Sequence, residues 1–313
     1  MFNRYWRSYP WYFQLLQFII LIAVMASFFV FAMGPLVLKL MGAPIADIVS
    51  MSENSPRRVI DAALTFQFLS AIGIFLVPAL LFAYFTHPRP AAYLGLSKPG
   101  RGSHWPLVIL LMLGAAPLFI GLAEVISHLD LGAAAKKAQE DSDRAFKALL
   151  SMSSPMHLIV SFMVLAILPG VSEELFFRGI LMRFVDKRSR NIIFPIILSS
   201  LMFALMHSNV YGLPSIFLAG CLLGFIYYIT GSLWCSIVAH IFFNGMQVVL
   251  TYMAGNNPTL KELNEVNSVP ASWIVVGAVI FSGSLYLLWK NRTPLEKGWS
   301  QDYTPEELLK EQQ

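Results

Sequence analysis

Eight apolar runs of roughly 17 to 30 residues, joined by short polar loops, restrict what this chain can fold into more than any other feature of it. A run of about 18 or more apolar residues is long enough to cross a bilayer as a helix. In lipid every backbone N–H and C=O must be satisfied within the protein, so runs of this length span as helices. Composition agrees: 57% of the 313 residues are hydrophobic and 13% are charged, against about 25% charged in soluble domains. The expected fold is all-α, a polytopic membrane helix bundle of about eight spans around a polar intramembrane cavity.

The runs are Tyr12–Leu40, Val59–Phe85, Trp105–His128, His157–Val185, Asn191–His207, Leu213–Ile229, Leu233–Met253 and Ala271–Trp289. The first is too long for the apolar core of a secretory signal peptide and reads as a retained span. Loop 86–104 is rich in Pro and Gly and cannot be one continuous helix. Residues 129–156 form the longest polar insert, in which Ala145–Leu150 has the pattern of a short interfacial amphipathic helix. In the polar tail, Thr304-Pro305-Glu306-Glu307 reads as a helix start, with Thr as cap and Pro in the first turn. The chain divides into 1–156, with three spans and the insert; 157–255, with four; and 256–313, with the last span and the tail.

An even number of spans puts both ends on one side. Lys and Arg are denser near the N-terminus, in loop 86–104, in the turn Asp186-Lys187-Arg188-Ser189-Arg190 and in the tail than in the alternate segments. The excess of cations on the inner side predicts a multi-pass protein of the cell (inner) membrane with both ends in the cytoplasm. The net charge of +4 lies mostly in loops, a topology signal rather than a nucleic-acid footprint. Cys221 and Cys235 lie in apolar runs without metal or redox spacing and read as small buried hydrophobes.

Against this apolar background, the fourth run carries Gly170-Val171-Ser172-Glu173-Glu174-Leu175-Phe176-Phe177-Arg178-Gly179. Each ionisable group at such a depth costs roughly 2.5–3.5 kcal/mol, so these three need a reason to be there. Glu174 and Arg178 are four apart, acid before base, the favoured pairing on a helix, and read as a neutralising pair. Glu173 points about 100° around the helix and is left to face a cavity. Pro169-Gly170 just before them predicts a kink or restart of the helix, with Ser172 as a cap.

Two further runs supply partners. His207 ends the fifth, with Phe203 one turn before it, and His240 lies in the seventh with Asn244 one turn after it. His87, His104, His128 and His157 fall at span ends, where an imidazole needs no special reason. One buried histidine is commonly only an interhelical hydrogen bond. Two histidines, an asparagine, two glutamates and an arginine on three consecutive spans are hard to explain that way.

One carboxylate and two imidazoles can hold and deprotonate a water, and an Asn amide can donate to a developing oxyanion. That inventory suits hydrolysis of an amide, with no activated Ser or Cys. The same Glu and His ligand types also suit a catalytic zinc site. The HExxH of zinc proteases is absent, as are GxGD aspartate pairs and a GxSG nucleophile within a span.

Glu173-Glu174-x-x-x-Arg178, Phe203-x-x-x-His207 and His240-x-x-x-Asn244, in this order on consecutive apolar segments, resemble the CPBP family. These are the CAAX-protease and bacteriocin-processing intramembrane metalloproteases, also called Abi. Among membrane proteases the chain is most similar to type II CAAX prenyl endopeptidases. The resemblance makes 157–255 a catalytic core and implies a conical, water-filled cavity. It also implies that Glu173 and His207 activate water, that His240 and Asn244 stabilise the oxyanion, and that Glu174 and Arg178 support the site. If a metal such as zinc binds, its ligands would be Glu173, His207 and His240. The six residues have acid, base and oxyanion roles without an ion, which favours a metal-free route. The expected activity is endopeptidase cleavage of a membrane-anchored or lipidated peptide or protein, with the bilayer as the other partner and no nucleic acid. The alternatives are a membrane scaffold or immunity protein that keeps the site without using it, and a transporter whose buried Glu, Arg and His form an ion path.

Overall fold

In a computed structural model, residues 6–189, 191–207, 209–255 and 269–303 are described, and they form helices and no strand. The helix start expected at Thr304-Pro305-Glu306-Glu307 lies outside them. Seven helices are long and apolar enough to cross a membrane. They are α1 (Trp11–Leu40), α2 (Arg57–Thr86), α3 (His104–Ser127), α5 (Pro155–Asp186), α7 (Leu213–Thr230), α8 (Leu233–Gly255) and α9 (Ala271–Lys290). Between them lie α4 (Ala133–Leu149) and the shorter apolar α6 (Ile193–Leu205). The chain is an integral membrane protein, a polytopic helical bundle.

Two elements differ from the sequence expectation. The fifth apolar run was expected to span from Asn191 to His207, but its helix covers only Ile193–Leu205. At 13 residues it rises about 20 Å, short of the roughly 30 Å hydrocarbon core. Polar side chains bracket it: Asn191 Oδ1 accepts from the Ile193 N–H, and the Asn209 side chain accepts from the Gly212 N–H in the turn before α7. In the polar insert, the amphipathic helix is longer than Ala145–Leu150. It starts at Ala133, and Ala148 packs with Val59, Ala62 and Ala63 of α2.

A third difference concerns proline. Pro169-Gly170 does not restart a helix, because α5 runs through it, and Ser172 is fully buried inside the helix rather than at a start. A proline lacks an N–H and its ring collides with the carbonyl four residues earlier. Here the turn before the proline widens to π-helical geometry over Met163–Ile167 and relieves that collision without a break. The same device precedes Pro35, over Ser27–Met33, and Pro78, over Ile72–Leu76.

Phe18, Phe82, Phe176, Phe177, Phe184 and Phe203 share the main core, where α1, α2, α5 and α6 meet. On the other flank α3 and α9 approach through small residues, and a Cβ on Gly114 would lie 2.5 Å from the Phe281 backbone nitrogen.

The residues after α9 run back across one end of the bundle. The Thr293 N–H donates to the Ile229 carbonyl (2.8 Å), that of Leu295 to the Tyr228 carbonyl (2.9 Å), and His104 Nε2 to the Asn291 carbonyl (2.9 Å). Asp302 then takes hydrogen bonds from Lys187 (2.6 Å) and from Gln14 of α1 (2.9 Å). Arg7 lies over the Tyr303 ring, 4.1 Å from its centroid, so the two described ends of the chain sit at the same end of the bundle. Burial pulls the Lys187 pKa below its ordinary value, and the Asp302 carboxylate works against that fall.

Candidate active site

The site is built where α5 and α8 come together. Their contact depends on Gly170: a Cβ there would stand 2.5 Å from Ile241 Cγ1 and 3.0 Å from the Ile241 backbone nitrogen. Glycine thus lets the two backbones approach one turn before the paired glutamates and one residue after His240. By rise per residue, Glu173 lies about 20 Å from the Asp186 end of α5, well inside the apolar span.

Glu174 and Arg178 form the expected i,i+4 pair. Arg178 Nη1 donates to Glu174 Oε1 at 2.5 Å, and both side chains are fully buried. Arg178 Nη2 donates to the Gly220 carbonyl of α7 at 2.8 Å, and the guanidinium lies over Phe203, 4.9 Å from the ring centroid. A buried ion pair must satisfy its remaining donors and acceptors to offset desolvation.

Glu174 does more than neutralise Arg178. Its Oε1 also accepts from His240 Nδ1 at 2.9 Å, and its Oε2 accepts from Ser236 Oγ at 2.7 Å. A carboxylate facing Nδ1 places the proton there and sets the ring's orientation. His240 Nε2 then faces Glu173, 3.9 Å from its Oε2. That separation is an ion-pair distance rather than a hydrogen bond. Glu173 is mostly buried, with 13% of its side chain exposed, and its Oε2 has no hydrogen-bond partner among the described residues.

His207 stands just beyond α6, where the chain turns, and is exposed. Its Nδ1 donates to the Phe203 carbonyl at 2.8 Å, since a carbonyl can only accept, which leaves Nε2 as the acceptor nitrogen. Its ring packs on Phe203 at 4.6 Å, and Phe203 also touches the ring of His240 at 5.8 Å. Both histidines lie near enough to Glu173 for charge on either to act on it. Asn244 is half-buried one turn along α8 from His240. The fold therefore joins Glu173, Glu174, Arg178 and His240 directly, sets His207 beside them through Phe203, and continues the α8 face with Asn244.

Sequence reasoning missed Ser236, the Gly220 carbonyl and the plate-like role of Phe203. Ser236 was within reach of a spacing argument, because Ser236, His240 and Asn244 recur every four residues on one helical face. The Gly220 carbonyl had no such signal, since any residue supplies a carbonyl.

Glu173, His207 and His240 do not fit a metal as placed: no group of three or more His, Cys, Asp or Glu side chains converges for one among the described residues. Cys221 and Cys235 are free thiols, Cys221 half-buried and Cys235 buried. Between α5 and α8 lies an apolar groove of about 480 Å³, lined by Phe162, Ile241, Phe242, Gly245 and Met246 among others.

Residues 155–246 match the family described as type II CAAX prenyl endopeptidase Rce1-like. No curated protein and no solved structure matches the chain. The matched segment holds all six polar residues singled out above, and in it the chain is similar to the CAAX proteases of the Rce1-like type.

Proposed function

We propose that the protein is an intramembrane endopeptidase that hydrolyses a peptide bond of a lipidated or otherwise membrane-anchored peptide, with a prenylated C-terminal peptide as the first substrate to test. The observation that carries this reading is the pairing of opposed roles at His240. Its Nδ1 is held by Glu174 while its Nε2 faces the unpartnered Oε2 of Glu173.

Glu173 is the general base. It takes a proton from a water held between it and His207 Nε2, and the oxygen attacks the scissile carbonyl carbon. The carbonyl π bond opens to an oxyanion. An oxyanion donor at His240 Nε2 must be the doubly protonated ring, since the Nδ1 proton is committed to Glu174. Charge counting accommodates this: Glu174 balances Arg178, and Glu173 balances the imidazolium. The Asn244 amide supplies the second donor. As the C–N bond breaks, Glu173 returns its proton to the leaving amine. Glu174 and Arg178 touch no substrate and position His240. The apolar groove beside Ile241 suits the lipid anchor of such a substrate.

The test is cleavage of a prenylated or acylated peptide by purified protein in lipid, compared with Glu173→Gln and His207→Ala. Loss of cleavage in both, with the fold intact, is expected. Full activity in either variant would reject this mechanism.

A further inference from the structure

Both oxygens of Glu174 are engaged, and the partner of the second is the side chain no motif accounts for. Oε1 holds Arg178 and His240, and Oε2 holds Ser236 Oγ at 2.7 Å. Ser236 is fully buried. Its hydroxyl has one proton and two acceptors in reach, since the Leu223 carbonyl of α7 lies 3.0 Å from the same oxygen. The carboxylate is the closer acceptor and carries charge, so it takes the stronger bond.

The position of that bond matters more than its strength. The terminal torsion of a glutamate is broad and only weakly restricted. A carboxylate held at one oxygen swings about it, and Oε1 then moves relative to His240. Held at both oxygens, its plane is fixed, and so is the direction from which Oε1 receives the Nδ1 proton. Ser236 and His240 sit one turn apart on α8 and grip Glu174 from the same helix, which converts the rigidity of α8 into the orientation of the ring.

We propose that Ser236 is a positioning residue for His240, acting through Glu174 so that Nε2 stays aimed at Glu173 and the bound substrate. The proposal rests on the peptidase reading for its kinetic consequence, though not for its structural one. The competing role is a plain interhelical tie from Ser236 to the Leu223 carbonyl, which would serve stability alone.

The experiment uses the full-length protein in detergent or nanodiscs, with Ser236→Ala and with Ser236→Thr, which keeps the hydroxyl. It measures kcat and KM on a prenylated peptide, the thermal midpoint, and the ¹⁵N-histidine NMR resonance of His240 Nδ1–H, assigned by its loss in His240→Gln. In Ser236→Ala we expect kcat to fall about tenfold to a hundredfold, by analogy with the loss of outer partners that orient a functional histidine in metal sites. KM stays near wild type, the thermal midpoint falls only modestly for the loss of one buried hydrogen bond, the His240 resonance moves, and Ser236→Thr restores most of the rate, the midpoint and the signal. Wild-type kcat with an unmoved resonance in Ser236→Ala overturns the proposal. So does an equal loss in both variants that follows a fallen thermal midpoint. If the wild-type protein cleaves none of the peptides, the peptidase reading fails and the resonance decides alone: movement in Ser236→Ala upholds the coupling, and no movement overturns it.

Discussion

Glu174 Oε1 lies 2.9 Å from His240 Nδ1, and through this bond α5 and α8 share one buried carboxylate. Glu173, its neighbour in sequence, has no hydrogen bond at Oε2 among the described residues. Two adjacent glutamates thus have different surroundings, and their substitutions should separate.

Glu174→Gln removes the charge that Arg178 faces and leaves that cation fully buried without its ion-pair partner. Breaking such a pair costs about 3–5 kcal/mol. Thermal unfolding in detergent should show a large fall in midpoint, with cleavage lost alongside it.

Glu173→Gln should lower the thermal midpoint far less than Glu174→Gln, because it replaces a mostly buried carboxylate that has no hydrogen bond at Oε2 with a neutral amide. Its cleavage rate should fall by about 10²–10⁴, the contribution of a general base. A variant that is both destabilised and active would contradict the assignment.

Gly170→Ala tests the close approach of α5 and α8. Its Cβ would meet Ile241 at 2.5 Å on the side chain and at 3.0 Å on the backbone nitrogen, and the backbone has nowhere to move within a packed bundle. We expect a loss of about 1–3 kcal/mol together with a drop in kcat, as His240 is carried away from the glutamates. Gly245→Ala is the control. The nearest atoms to its Cβ would be those of the Phe162 ring, the first at 2.6 Å, and that ring borders the apolar groove into which it can turn. Its stability and rate should change less than those of Gly170→Ala.

Asp302→Ala tests the strap after α9. It removes the acceptor shared by Lys187 and Gln14 and leaves a lysine whose side chain is only 7% exposed. A buried hydrogen bond to a charged group is worth about 1.5–3 kcal/mol. The thermal midpoint should fall, and adding Lys187→Met should recover part of the loss because no buried charge then stands alone.

Much of this was legible in the sequence, and the parts that were not share a cause. The spans were readable because lipid demands long apolar runs, and α5, α8 and α9 lie within about two residues of the runs that announced them. Glu173, Glu174, Arg178 and His240 were readable as partners because charge inside such a run is costly. The real length of α6 was hidden, since hydropathy counts apolar residues and is blind to where a helix ends. The passage of α5 through Pro169 was hidden too, because the widening of the preceding turn is set by three-dimensional strain and not by residue type. Gly170 looked like a helix breaker and proved to be a contact surface for Ile241, a distinction that exists only once a second helix is present.

The short α6 has an effect on the lipid around it. Ile193, Phe194, Ile197, Leu201, Met202 and Leu205 are exposed, so this helix offers the acyl chains an apolar band only about 20 Å tall. A bilayer can meet so short a band by thinning beside it. Thinning on this side would lower the headgroup region toward His207, at the far end of the helix, and bring the aqueous phase to the edge of the site. A reaction that consumes water inside a membrane would then draw it through a local dimple in the bilayer.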